Sequence, residues 1–180
     1  EIQELKNQRG NYFLIGTLII VAIILVILYL LAKQNKQKNL ANSRLSEQNS
    51  IITQKKDEID KSIKYAKGIQ NAVLPDENDL QENFKESFIF YEPKDVVSGD
   101  FYWMSKKQNT IFYATADCTG HGVPGGFMTM LGISFLDEIV NEKNISAPNE
   151  ILNLLREKII GTLKQTGTAG ESKDGMDIAL

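Results

Sequence analysis

The sequence predicts an α+β fold, in which a long helical segment precedes a small sheet and its packing helices. Three observations lead to this prediction. Residues 12–32 form an uncharged aliphatic run, residues 33–74 form a polar segment without proline, and the chain from Pro75 onward holds two short aromatic strands followed by two amphipathic helical patterns. With 42% hydrophobic residues in a chain of 180, the sequence can build a hydrophobic core.

The aliphatic run 12–32 is a predicted transmembrane helix. At a rise of about 1.5 Å per residue, it is long enough to cross a hydrocarbon core of ~30 Å. A buried core helix would seldom be apolar on every face over this length, and a cleaved signal peptide would have a shorter hydrophobic region. Four basic residues follow the run and two precede it, so the positive-inside rule places the chain after Ala32 in the cytoplasm. Residues 1–11 are then the end of an upstream extracytoplasmic or sensor region.

The segment 33–74 is predicted to be a cytoplasmic coiled-coil linker. Apolar residues recur in it every seven positions: Leu45, Ile52, Ile59, Ala66 and Val73. Because such a repeat is typical of helices that pair, we expect a parallel homodimer through residues 40–74. The second heptad positions are polar near Leu45, and a single solvated helix remains the alternative.

Charge is distributed unevenly along the chain, whose net charge is −3. Residues 33–74 contain nine basic and four acidic side chains, which suits an anionic membrane surface. Residues 75–180 contain nine basic and seventeen acidic side chains, so they offer no basic stripe to a nucleic acid, and we expect no nucleic-acid partner. The single cysteine, Cys118, cannot form an intrachain disulfide, which fits a reducing cytoplasm.

Two strands and two helices are predicted after the linker. The strands lie over residues 101–104 and 111–115, where aromatic and β-branched residues predominate, and the polar residues 106–109 form the hairpin loop between them. The first helix opens at Pro124 and the second follows a candidate N-cap, Ser146, each with apolar residues at three- and four-residue steps. These apolar stripes are expected to pack on one face of the sheet.

Two aspartates, Asp100 and Asp117, lie at the ends of the predicted strands. If Ser105 pairs with Thr110, the aspartates are diagonal neighbours on one face, about 7–8 Å apart at the backbone. A one-residue slip would place them on opposite faces. Two close carboxylates repel unless one holds a proton or a cation lies between them, and an all-oxygen site favours Mg²⁺, Mn²⁺ or Ca²⁺ over zinc. The alternative is that both are turn residues at strand ends.

These motifs together resemble those of a known family. The Ser-Gly-Asp-Phe-Tyr-Trp motif at 98–103, the Ala-Asp-Cys-Thr-Gly-His-Gly-Val-Pro-Gly motif at 116–125 and the helical segment 62–75 are similar to the SpoIIE/RsbU family. Its members are bacterial PPM-type (protein phosphatase 2C-like), metal-dependent serine/threonine phosphatases. The resemblance covers about residues 62–180. It implies an α-β-β-α sandwich, of which residues 75–180 are expected to be the N-terminal part.

The resemblance also implies the chemistry of the site. Two Mn²⁺ or Mg²⁺ ions would activate a water molecule, with the carboxylates of Asp100 and Asp117 and the backbone carbonyl of Cys118 among their ligands. His121 and Gly122 would support the metal ligands or contact the phosphate, while a loop residue with an unusual backbone angle is the alternative for His121. The family's other metal-binding aspartates lie in later strands, so these 180 residues are expected to hold half of the centre.

The implied function is that of a protein phosphatase in bacterial signalling, anchored by a single span in the inner (cytoplasmic) membrane with its phosphatase domain in the cytoplasm. Its partner would be a phosphorylated regulatory protein of the anti-sigma-factor antagonist type. One alternative is a non-catalytic module that keeps the fold and dimerises or binds a partner. A sensor histidine kinase is disfavoured, because the only histidine, His121, lies in a glycine-rich loop and not on the linker helix.

Overall fold

In the computed structural model, the chain divides into two compact units, residues 1–57 and 58–180. The structure describes residues 2–168, 170–171 and 173–180. Glu1, the first residue of the predicted upstream segment, lies outside the described residues. In chain order the elements are α1 (Ile2–Val73), α2 (Glu77–Asn83), β1 (Phe101–Lys107), β2 (Thr110–Cys118), α3 (Gly122–Asp137), a π-helical turn (Glu138–Glu142), α4 (Pro148–Thr162) and β3 (Met176–Ala179).

Helix α1 is continuous from Ile2 to Val73. Its aliphatic run is exposed along its length, since Leu18 is 68% exposed and Ile27 is 49% exposed. An 18-residue window of this helix has a mean hydropathy of 3.2 with none of it buried, so the helix is long and apolar enough to cross a membrane. The second such helix among the described residues is α3 with its π-helical turn. Its mean hydropathy is 1.3 and half of its window is buried, as in the core helix of a globular domain.

The sheet has three antiparallel strands in the order β1-β2-β3. Lys107 pairs with Thr110, so the predicted register, in which Ser105 pairs with Thr110, is wrong by two residues. The predicted four-residue loop is correspondingly a two-residue turn, in which Gln108 adopts a φ of 53°. Lys107 stays in the strand because its ammonium group donates to the carbonyl of Val140, 2.7 Å away. That contact is distant in sequence, and the polarity of the loop does not reveal it.

One face of the sheet packs against α3, α4 and the π-helical turn. The buried core contains alternate residues of the strands and the apolar stripes of the helices: Phe101, Trp103, Phe112, Ala114, Ala116, Cys118, Met128, Ile133, Leu136, Ile139, Val140, Ile151, Leu155 and Ile159. The α+β architecture and the packing of both amphipathic helices on one sheet face are therefore confirmed.

The ends of the helices differ slightly from the predicted ones. Helix α3 begins at Gly122, two residues before Pro124, which lies in its first turn. Helix α4 begins at Pro148 after an N-cap at Ala147 that makes no side-chain hydrogen bond. Ser146 is therefore not the N-cap. Proline at the first helical position has no N–H to satisfy and a suitable φ, so the helix starts there without a capping side chain.

The opposite face of the sheet carries the outward residues of β1 and β2. The segment 84–100, which forms neither helix nor strand, contacts this face through aromatic rings. Phe84 and Tyr113 meet edge to face with centroids 6.1 Å apart, and Tyr91 and Tyr102 meet in the same way at 5.5 Å. Tyr113 nevertheless stays 64% exposed. Much of this face is thus open among the described residues.

Candidate functional site

Asp100 and Asp117 lie opposite each other where β1 begins and β2 ends. The N–H of Cys118 donates to the carbonyl of Gly99 at 3.3 Å, which extends the β1–β2 register past the last ladder pair. The residues between, Asp100 and Asp117, are therefore cross-strand partners. A two-residue shift of register keeps a side chain on the same face. The error in the predicted pairing thus leaves both carboxylates on one face and makes them direct neighbours.

The two carboxylates interact strongly enough to alter protonation. Burial raises the pKa of Asp100, and the adjacent Asp117 carboxylate, by its charge and by a hydrogen bond, raises it further. The Ser98 hydroxyl opposes this shift, and it also accepts the backbone N–H of Asp100 at 2.9 Å. Two negative charges held side by side favour either a shared proton or a bound cation. The oxygen-only donors fit a hard divalent ion.

The Ser-Gly-Asp turn packs backbone to backbone against the loop that follows β2. A Cβ atom on Gly99 would lie 2.7 Å from the carbonyl oxygen of Gly120 and 3.1 Å from that of Cys118. A Cβ atom on Gly125, in the first turn of α3, would lie 2.9 Å from the Cα of Gly99. Only glycine fits at both positions. This approach brings the Cys118 carbonyl, a predicted metal ligand, to the turn that precedes Asp100.

The Cys118 side chain has no part in this arrangement. It is buried in the core on the opposite face from the aspartates, and burial raises the pKa of its thiol to about 12. A thiol that stays protonated at neutral pH is a poor nucleophile and a poor metal ligand. Only the backbone oxygen of this residue is therefore available to the site.

Two buried side chains that the sequence did not reveal hold the Ser-Gly-Asp turn. Gln70, on α1 and 3% exposed, donates to the carbonyl of Ser98 at 2.7 Å and accepts the Ser98 N–H at 3.0 Å. Thr129, on α3 and fully buried, donates to the carbonyls of Ser98 and Gly99, each at 3.0 Å. The sequence feature that could have indicated them is that Gln70 and Thr129 are polar residues at positions where the apolar pattern of each helix calls for a buried side chain. The end of α1 therefore fixes the position of the turn.

Strand β3 brings a third aspartate to the same face. Asp177 pairs with Asp117 in the β2–β3 ladder, so Asp100, Asp117 and Asp177 follow one another across three strands. The sequence did not assign Asp177 to the site, because pairing between strands this far apart in sequence cannot be read from local patterns. Nearby, the Thr119 hydroxyl donates to Asp174 Oδ1 at 3.2 Å.

An open depression of about 500 Å³ lies over these aspartates, lined also by Thr115, Ala116, Ile178 and Ala179. A larger cavity of about 700 Å³, between the end of α1 and residues 87–93, contains none of the predicted ligands and is not the candidate site. Within the part of the chain that the structure describes, no three His, Cys, Asp or Glu side chains are grouped so as to hold a metal ion. Among the described residues, the aspartates on this face therefore do not form a complete metal cage.

His121 and Gly122 lie at the start of α3. His121 is the N-cap residue, but its side chain makes no capping hydrogen bond. Instead its Nδ1 is 2.6 Å from Oδ2 of Asp95, a residue of the segment 84–100. Gly122 has a φ of +63°, a conformation that favours glycine. Asp95 was not among the predicted site residues, because nothing in its local sequence marks it as a partner of His121.

The fold is similar to that of a solved phosphatase-type domain. The SiaA-PP2C domain of Pseudomonas aeruginosa aligns with 68% of this chain at 33% sequence identity and a TM-score of 0.58. The alignment covers 48% of that domain, so the chain spans about half its length. No protein-family model and no curated protein matches the chain. The aligned part of the chain, 68% of its residues, is therefore PP2C-like in fold.

Proposed function

We propose that this protein is a metal-dependent protein serine/threonine phosphatase of the SpoIIE/RsbU type. The observation that supports this most directly is the direct pairing of Asp100 and Asp117 on one face of a PP2C-like sheet. Adjacent carboxylates disfavour each other's ionisation, and a divalent cation between them relieves that conflict. Hydrolysis of a phosphate ester is chemistry that such ions support.

Each predicted site residue has a role in this proposal. The carboxylates of Asp100 and Asp117 and the carbonyl of Cys118 would hold Mn²⁺ or Mg²⁺, which fits an oxygen-only donor set. Two bound ions would supply an activated water molecule and neutralise charge on the phosphate. The first N–H groups of α3, including that of Gly122, would bind phosphate oxygens, since helix N-termini favour anions. His121, the N-cap of that helix, would contact the same group.

The proposed substrate is a phosphoserine or phosphothreonine on a regulatory protein of the anti-sigma-factor antagonist type. An open site supports a macromolecular substrate, because the depression over the aspartates is a shallow surface and not an enclosed pocket. The acidic composition of residues 75–180 supports the proposal that nucleic acid is not a partner.

We further propose that the run 12–32 anchors the protein in the bacterial cytoplasmic membrane and that α1 pairs with α1 of a second copy. The apolar side chains from Tyr12 to Leu31 are exposed in the single chain, and lipid would cover them. Farther along the helix, Leu45, Ile52 and Ile59 are each more than half exposed at seven-residue spacing. A parallel partner would bury this stripe.

The phosphatase function is tested by hydrolysis of a phosphoserine protein by the full-length protein in detergent, with and without Mn²⁺. We expect metal-dependent turnover that falls by at least about a hundredfold in Asp117→Asn, because a lost ligand removes transition-state stabilisation of several kcal/mol. Glu157→Gln, on the exposed side of α4, is the control and should retain full activity. Equal turnover with and without metal would contradict the proposal.

The second candidate function is a non-catalytic signalling module with the same fold. It is favoured by the finding that, among the described residues, no three His, Cys, Asp or Glu side chains are grouped so as to hold a metal ion, whereas a two-ion centre needs several such ligands. The two functions differ in metal binding. A full-length protein that neither binds Mn²⁺ or Mg²⁺ nor hydrolyses phosphoserine would support the non-catalytic module.

A further inference from the structure

Asp95 and His121 form a close pair, and they lie on the two chain segments that carry the carboxylates of Asp100 and Asp117. His121 Nδ1 lies 2.6 Å from Asp95 Oδ2, a short distance typical of a charge-assisted hydrogen bond. Asp95 precedes Asp100 by five residues and His121 follows Asp117 by four. The two segments that supply the aspartates of the site therefore also supply the two members of this pair.

The surrounding backbone leaves room for the pair. A Cβ atom at the position after the histidine, Gly122, would lie 3.5 Å from Asp95 Oδ2. The His121 ring does not cap α3, although its residue is the N-cap, and it is directed to Asp95 instead. Among the described residues the ring's second nitrogen, Nε2, has no hydrogen-bond partner. The ring is thus held at one nitrogen and free at the other.

A contribution to stability does not account for this arrangement. The His121 side chain is 70% exposed and that of Asp95 is 41% exposed. Ion pairs this exposed contribute about 0–1 kcal/mol to folding, since water and salt screen them. A carboxylate that fixes one nitrogen of an imidazole while the other faces solvent is, in contrast, the arrangement by which enzymes orient a histidine that transfers a proton.

We propose that Asp95 is a positioning residue that orients His121 so that its Nε2 donates a proton to the leaving oxygen of the phosphoserine substrate. This inference rests on the proposed phosphatase function. In the step, a water oxygen forms a bond to phosphorus and releases its proton to solvent. The bond between phosphorus and the seryl oxygen breaks, its electron pair stays on that oxygen, and the proton from Nε2 completes the serine hydroxyl. Solvent then reprotonates His121, while Asp95 keeps its charge and stabilises the imidazolium.

The kinetic test compares two substrates with different leaving groups. A seryl oxygen needs a proton as it leaves, whereas p-nitrophenolate is stable without one. In the full-length protein with Mn²⁺, Asp95→Asn should lower kcat for a phosphoserine protein by about 10- to 100-fold, within the range of general-acid effects, and change kcat for p-nitrophenyl phosphate by less than about threefold. Glu92→Gln, which removes an exposed carboxylate of the same segment, is the matched control and should leave both rates unchanged.

A double variant separates action through His121 from a direct effect. If Asp95 acts through the ring, adding Asp95→Asn to His121→Gln should reduce phosphoserine turnover by less than about twofold further. Equal losses on both substrates in Asp95→Asn, or losses that multiply in the double variant, would overturn the positioning role and assign the pair to structure alone.

The pairing itself is measured without any activity. In protein labelled with ¹⁵N-histidine, the signals of His121 are assigned by their loss in His121→Gln. We expect the neutral ring to carry its proton on Nδ1, facing Asp95, and to change to the Nε2–H tautomer, which prevails in free histidine, in Asp95→Asn. The same tautomer in both proteins would overturn the inference. If the unaltered protein hydrolyses neither substrate, the phosphatase function fails and the donor role with it, even where the tautomer confirms the pair.

Discussion

The carboxylate of Asp117 is expected to have opposite effects on stability with and without a bound metal. In the metal-free protein it lies beside Asp100, whose pKa burial and this neighbour raise. When folding raises the pKa of a carboxyl group, the ionised carboxylate is less stable in the folded protein than in the unfolded chain. Ionisation of the group therefore lowers the free energy of unfolding. This loss of stability is fully present at pH values above the raised pKa. It disappears as the pH falls through the raised pKa of the folded protein toward the pKa of the unfolded chain.

Asp117→Asn is therefore predicted to stabilise the metal-free protein at neutral pH. The gain should be roughly 0.5 kcal/mol, since solvent screens the pair, and it should shrink in acid as Asp100 takes up a proton. In Mn²⁺ at about a hundred times its Kd, the unaltered protein gains ~2.7 kcal/mol from binding and becomes the more stable of the two. Thermal unfolding with EDTA or Mn²⁺ measures both differences. An unaltered protein whose Tm does not respond to Mn²⁺ would refute the metal site.

At the scale of elements, the end of α1 and the Ser-Gly-Asp turn depend on each other. Gln70 satisfies both the N–H and the carbonyl of Ser98, while Thr129 supplies a second donor to the carbonyl alone. Removing the glutamine amide would leave the buried Ser98 N–H without a partner. A buried donor without a partner costs about 1–3 kcal/mol.

Gln70→Ala is thus predicted to lower the unfolding free energy by about 1–3 kcal/mol and to weaken Mn²⁺ binding, because Asp100 follows the turn that Gln70 holds. Asn71→Ala, at an exposed position of the same helix, is the control and should change the unfolding free energy by less than ~0.5 kcal/mol. Thermal melts and metal titration of the full-length proteins give both quantities. Stability within ~0.5 kcal/mol of the unaltered protein would show that the turn holds its position without Gln70.

The elements differ in how far sequence could predict them. Local patterns located β1, β2, α3 and α4, because each buries residues at the period of its own backbone. They did not locate the π-helical turn, whose position depends on contacts with β1. Trp103 Nε1 donates to Asp137 Oδ1 at 2.9 Å, and the Ser105 hydroxyl donates to Asn141 Oδ1 at 2.6 Å. Lys106 and Lys107 were therefore predicted to be loop residues although they belong to β1.

The candidate site was predictable only where its residues lie at the ends of one predicted hairpin. Asp100 and Asp117 flank a hairpin, and side chains alternate between the two faces of a strand. The prediction therefore placed both on one face, although the predicted register was shifted by two residues. Gln70 and Asp177 come from segments distant in sequence, and Asp95, although only five residues before Asp100, contacts His121 26 residues away. No local pattern indicates such contacts. These three residues required the fold itself.

For the whole molecule, the proposed pairing of two copies involves the exposed apolar stripe of α1 that contains Leu45, Ile52 and Ile59. Ile63, Ala66, Gln70 and Val73 continue that stripe but are partly or fully buried within the unit 58–180. The part of the stripe that a second copy would cover therefore lies before Ile63. Leu45, which is 56% exposed, lies in that part.

Leu45→Cys is predicted to form an intermolecular disulfide in protein reconstituted into lipid vesicles, because the two copies of this position would face each other in the proposed parallel pair. Glu47→Cys, two residues farther along and on the outer side of the helix, is the matched control and should crosslink at least about tenfold less. The native Cys118 does not interfere, since it is buried with a pKa of about 12. Equal crosslinking of both variants on a non-reducing gel would indicate a solvated single helix.

The contact of Gly99 with Gly125 has a consequence for how such a site can diverge. Turn and helix meet there through main-chain atoms, and a Cβ atom added to Gly125 would lie 2.9 Å from both the Cα and the N of Gly99. Substitutions cannot change this contact gradually, because even the methyl group of alanine, the smallest side chain, would force the turn and the helix apart. In the proposed phosphatase, specificity for different targets would then arise elsewhere, on the outward sheet positions and on the segment 84–100. The contact between Gly99 and Gly125 would stay unchanged while the surface residues around it vary.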